Sequence, residues 1–148
     1  MIITAKEVKP LKNYLLWVRF RNDEVKIFNC NLLFWNKLYK PLMDKEYFKK
    51  VYIDEMGVIS WCAGIDINPY KLYEESMDIK CFNSDNHNSI RLDRLHVGYS
   101  FYYDKEMTLN AVVVRNEPDS DQVIVETEDG HVRAEDRNIE VYVDLSEE

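Results

Sequence analysis

The sequence predicts an α+β protein in two parts, a small α+β domain followed by a small all-β, SH3-like barrel. Three observations predict it. Short apolar runs of two-residue period alternate with short capped helical runs before residue 83, and only strand-like runs follow residue 89. Between them, Asn83-Ser84-Asp85-Asn86-His87-Asn88-Ser89 holds only turn-forming and polar residues apart from His87. The expected organisation is therefore a domain over 1–82, a linker over 83–89 and an acidic barrel over 90–148.

The first two strands are expected over Ile2 to Val8 and Tyr14 to Phe20, separated by a turn at Pro10-Leu11-Lys12-Asn13. Tyr14, Leu16, Val18 and Phe20 share one face by the strand period. A polar turn at Arg21 to Glu24 leads to a third strand, Val25 to Asn29. From Leu32 the period changes: Leu32, Trp35, Leu38 and Tyr39 are spaced for one face of a short helix, with Lys37 and Lys40 off that stripe. Pro41 ends it, and Asp44 is a fitting N-cap for a turn through Phe48. Val51 to Ile53 and Val58 to Trp61 then form a hairpin around Gly57. After the break at Gly64, Asn68 caps a helix whose first position is Pro69, where a missing amide costs nothing, and which runs to Glu75.

Beyond the linker, Tyr99 to Tyr103, Leu109 to Arg115, Val123 to Thr127, His131 to Ala134 and Ile139 to Val143 are β-rich. Glu128-Asp129-Gly130 is a short hairpin cue, and Glu135 to Asn138 is expected as a single helical turn before the last strand. Five short strands with such a turn before the fifth are the pattern of an SH3-like barrel.

Composition narrows the function classes. With 46% hydrophobic and 13% aromatic residues, the chain has material for a packed core. The net charge of -8 is uneven. Residues 1–82 hold 13 Lys/Arg against 11 Asp/Glu, and residues 83–148 hold 6 against 16. That balance argues against the second part tracking a phosphate backbone, and it suits a basic protein partner or solubility alone. Cys30, Cys62 and Cys81 form no close pair, which fits a reducing compartment. No run approaches the roughly 18 apolar residues of a membrane span, and no signal-like apolar stretch opens the chain, so a cytoplasmic protein without membrane contact is expected.

Residues 1 to about 75 resemble the bacterial domain-of-unknown-function family 2442. The resemblance rests on Pro41-Leu42, Asp44, Phe48, Val51 and Gly57, and above all on Trp61, Gly64, Asp66, Pro69, Leu72 and Tyr73, six residue types fixed over a short span. Two places depart from the family pattern. Asn22-Asp23 stands where the family has Asp-Gly, and Asn29-Cys30 where it has an Asp at the end of the third strand. The resemblance implies a small α+β fold in a cytoplasmic bacterial or phage setting. Some relatives carry a C-terminal DNA-binding helical domain and others are encoded beside a small toxin-like protein; residues 83–148 look like neither appendage.

No stretch spells a catalytic or cofactor-binding motif, and no cofactor or metal is expected. Asp66, after the Gly64 break, could act as a base or accept from a partner, although hydrogen bonding within the local turn is the commoner use of such an Asp. Cys62 has no His near it in sequence and is expected to be buried and inert. His87, His96 and His131 share no metal-ligand spacing. Tyr99, Phe101, Tyr102 and Tyr103, with Tyr142 on the final strand, could line an aromatic groove for an extended peptide or a cationic side chain, with Tyr102 on the opposite face from Tyr99, Phe101 and Tyr103. The expected function is a non-enzymatic protein-binding module of antitoxin, inhibitor or adaptor type. Its surface would use Trp61, Asp66, Tyr99, Tyr102, Asp119, Asp121, Glu126, Glu128 and Asp129 against a basic partner. The alternatives are a ligand-binding or enzymatic cleft near Gly64 and Asp66, and nucleic-acid binding through the Lys-rich first half (Lys6, Lys9, Lys12, Lys37, Lys40, Lys45, Lys49 and Lys50). Parts this small are marginal alone, so contact between them or homodimerisation is expected.

Overall fold

The computed structural model describes residues 3–148; Ile2, at the head of the expected first strand, lies outside them. The protein is α+β, with two short α-helices, several 3-10 turns and three antiparallel sheets. It divides into two compact units. The first runs to Ile79 and takes back Ser146–Glu148, and the second is Lys80–Leu145.

In the first unit, β1 (Ala5–Pro10), β2 (Leu15–Phe20) and β3 (Val25–Asn29) pair in sequence. Leu16, Val18 and Phe20 are buried, as their shared face requires. Asp44 caps α1 (Lys45–Phe48) by accepting from the Glu46 amide at 3.0 Å. A second sheet follows, of β4 (Tyr52–Ile53), β5 (Ile59–Trp61) and β6 (Ile65–Asp66). Gly57 turns the chain between β4 and β5 at φ +80, and a Cβ there would meet the Thr4 Cβ at 2.7 Å, so glycine is needed twice over. Asn68 caps α2 (Pro69–Glu75), accepting from Tyr70 N at 2.9 Å, and β7 (Met77–Asp78) then adds to the free side of β3. Chain end and first strand meet again: Glu148 N donates to Pro10 O at 3.1 Å beside an isolated bridge of Leu11 with Glu147.

The stripe Leu32, Trp35, Leu38, Tyr39 does not make one helix. Two 3-10 segments form instead, Cys30–Leu33 and Lys37–Met43, because Asn29 and Asn36 each accept the backbone amide two residues on and restart the turn. The change of period turns Leu33 and Leu42 inward and leaves Trp35 80% exposed.

The second unit begins with residues 83–89, which are built into it rather than strung as a linker. Asn83 caps a 3-10 turn over Ser84–Asn86, bridges to Ser89, and Ser89 is buried. Ser89–Arg91 is a strand the sequence pattern did not reveal, β8. With β9 (Ser100–Tyr102), β10 (Asn110–Arg115), β11 (Gln122–Thr127), β12 (Val132–Asp136) and β13 (Glu140–Tyr142) it forms a six-stranded sheet in the order β12-β11-β10-β9-β13-β8. The sheet is open, not a closed SH3-like barrel: β12 pairs with β11 and β8 with β13, leaving two edges. No side chain of β12 is fully buried, so no apolar face draws that edge into closure. The expected helical turn at Glu135 is absent as well, since β12 runs to Asp136, whose carboxylate accepts from Asn138 N at 2.7 Å in the reversal before β13.

Candidate functional site

The sheet alternation separates the aromatic residues of β9. Tyr99 and Phe101 are fully buried, while Tyr102 is half-buried on the other face, opposite Asn110 and Tyr142. Tyr99 thus belongs to the core and offers no groove. Trp61 is likewise interior, 1% exposed, with its indole N–H donated to Phe48 O at 3.0 Å. Both fall away as surface contacts.

The acidic residues split by strand length. Asp119 and Asp121 lie in the turn before β11, and Glu128 and Asp129 in the turn after it. A six-residue strand separates them by about 20 Å, at roughly 3.3 Å per residue. The Asp119 turn is pinned by Arg137, whose guanidinium donates to Glu117 O at 3.2 Å and to Ser120 O. Glu128 and Asp129 are brought together at the other end, and Glu126, on β11 near that end, lines a smaller hollow with Glu128.

That end holds an open concavity of about 580 Å³ whose walls include Tyr103, Asn110, Glu128, Asp129, His131 and Arg133. The hairpin behind it is rigidly made. Thr127 N donates to His131 O at 2.9 Å, Gly130 N to Thr127 O at 2.9 Å, and Gly130 sits at φ +85. Asp129 accepts from the Thr127 hydroxyl and lies 2.8 Å from His131 Nδ1. These contacts, the Thr127 hydroxyl first, hold its carboxyl down to about 2. Its folded pKa lies below the unfolded value of about 3.9, so its contribution is complete above that value and lost as pH falls through the folded one. An NMR titration of the Gly130 and His131 amides is expected to show a transition near pH 2 that Asp129→Asn removes; a midpoint near pH 4 would contradict the arrangement.

Tyr103 packs edge-on to Phe101 at 5.3 Å, and the Arg133 guanidinium lies 5.6 Å from its ring centre. Burial, then the neighbouring Glu135 carboxylate, pushes its phenol up. Among the described residues Asn110 Oδ1, a buried atom, has no hydrogen-bond partner. The Asn110 amide reaches Glu128 Oε1 at 3.3 Å. Sequence reasoning missed Asn110 and Arg133 here. The available signal was the hairpin turn, which brings β10 and β12 residues to the same end of β11.

The Gly64 region has a different character. Cys62 is exposed, contrary to the expected buried thiol, because β5 ends at Trp61 and Cys62 already lies in the turn to β6. Ala63 and Gly64 follow at φ 69 and 79. Two tyrosine hydroxyls fasten the loop, Tyr39 to Asp66 O at 2.9 Å and Tyr47 to Cys62 O. The fold uses the backbone of Asp66, and the Asp66 side chain stays exposed.

No helix among the described residues is long and apolar enough to cross a membrane. No curated protein and no solved structure matches the chain. Residues 5–78 match the model of a family described as a protein of unknown function, DUF2442. The residues carrying the likeness are largely architectural: Trp61 and Leu72 are core, and Tyr73 packs on Phe20 at 5.1 Å while donating to Glu24 at 2.8 Å. Through its first unit, this chain belongs to the DUF2442 family.

Proposed function

We propose that the protein is a non-enzymatic, cytoplasmic protein-binding module of antitoxin, inhibitor or adaptor type, whose second unit takes a basic side chain of a partner protein. The observation that carries this reading is the open concavity lined by Glu128 and Asp129, beside a smaller one that shares Glu128 and is lined by Glu126. A lysine or arginine of the partner could lie against the Glu128 and Asp129 carboxylates, and the Tyr103 ring offers a surface for its stem. Arg133, which also lines the concavity, would favour one orientation of the incoming cation by repulsion.

The test is affinity purification from the native host with the tagged chain, over a salt series, beside Glu126→Lys/Glu128→Lys. Asp129 is left intact because it shapes the hairpin. A basic partner recovered by the unaltered chain is expected to be lost at high salt and reduced at least about tenfold by the double variant. Equal recovery by both chains would refute the assignment of this surface.

A further inference from the structure

The outer edge of β12 is matched to itself. We infer that β12 joins the β12 of a second copy of this chain, antiparallel about a two-fold axis through Ala134, to make one continuous sheet. Thr127 N–H donates to His131 O at 2.9 Å, and the register sets Val125 opposite Arg133 and Val123 opposite Glu135. By antiparallel alternation, His131, Arg133 and Glu135 turn their backbone polar groups to β11, and Val132 and Ala134 turn theirs to the free edge. Val132, at 67% exposure, and Ala134 are both open to solvent. The edge therefore presents N–H and C=O groups with nothing of its own sheet to pair them.

Charge decides which pairing fits. Centring the axis on Ala134 makes Ala134 a hydrogen-bonded pair with the partner's Ala134. Arg133 then stands opposite the partner's Glu135, and Glu135 opposite the partner's Arg133. Both are non-hydrogen-bonded positions, where facing side chains approach most closely. Moving the centre by one residue keeps the outward groups paired but sets arginine against arginine at Arg133, or glutamate against glutamate at Glu135. Charged residues on an edge ordinarily discourage pairing with arbitrary strands. Here their alternation rejects the neighbouring registers and accepts one, the self-complementary pattern of a two-fold interface.

Sedimentation equilibrium of the full chain over a concentration series tests the pairing, with Ala134→Pro, Arg133→Glu, Glu135→Arg and the double exchange Arg133→Glu/Glu135→Arg. Proline at 134 removes an outward amide that β11 does not use, so the folded monomer tolerates it. The unaltered chain is expected to be a dimer. Ala134→Pro should be a monomer with unchanged amide protection in β10 and β11. Each single reversal should raise the dissociation constant about tenfold or more, and the double exchange should restore it. A chain that stays monomeric into the millimolar range overturns the inference. So does a dimer that survives Ala134→Pro, or a double exchange that fails to rescue the single reversals.

Discussion

Trp61→Ala is expected to destabilise the first unit by about 3–5 kcal/mol, the range for removing a large aromatic from a core that cannot collapse around the space. Trp61 is 1% exposed, stacks on Phe48 with centroids 6.2 Å apart, and belongs to the same core cluster as Leu16, Phe28, Ile59 and Ile67. It also ties β5 to the end of α1 through its bond to Phe48 O. Trp61→Phe separates the two contributions. The ring volume is mostly kept, and Phe48 O still accepts from Val51 N at 3.3 Å, so a cost of only about 1–2 kcal/mol is expected. Urea unfolding followed by circular dichroism measures both. A Trp61→Ala midpoint no lower than that of Trp61→Phe would show that the indole is not a keystone of this core.

In the second unit, Phe101→Ala is expected to have the comparable effect, about 3–5 kcal/mol. Phe101 is fully buried, opposite Ala111 across the β9 and β10 ladder. It shares the inner face with Tyr99, Val113, Val123 and Val125, all buried. A unit of this size has only a few kcal/mol of net stability, on the order of 0.1 kcal/mol per residue, so the loss would leave much of it unfolded at 25 °C. The side chain also supports the concavity, because Tyr103 leans edge-on against it and forms one of its walls. Amide exchange reads the result directly: Val113 N, bonded to Tyr99 O at 3.1 Å, should lose its protection in Phe101→Ala. Retained protection there would contradict the packing described. All three tryptophans lie before Ile79, so indole fluorescence of the same variant reports on the first unit.

What the sequence by itself determined is local. The third strand, the Asp44 and Asn68 caps, the helix from Pro69 to Glu75 and the Gly57 turn follow from side chains that satisfy or spare backbone groups within a few residues. The two-residue period likewise assigned Tyr99 and Phe101 to the same face, and the family motif was readable because its residues cluster within one short span. Tertiary structure alone decided the rest. β8 is three residues long and exists because β13 pairs with it, and no three-residue pattern carries that information. Closure of the sheet depended on whether β12 had an apolar face to bury, a property of its neighbours more than of its β propensity. The acidic residues looked like one surface in a list of charges, but β11 holds Asp119 and Asp121 at one end and Glu128 and Asp129 at the other. Asn110 entered the site only because the Thr127 to His131 hairpin folds β12 back along β11, with β10 on its other side. Caps and turns are satisfied by nearby atoms and are written in nearby residues, whereas a concavity and a sheet edge are made by strands that meet across the sheet.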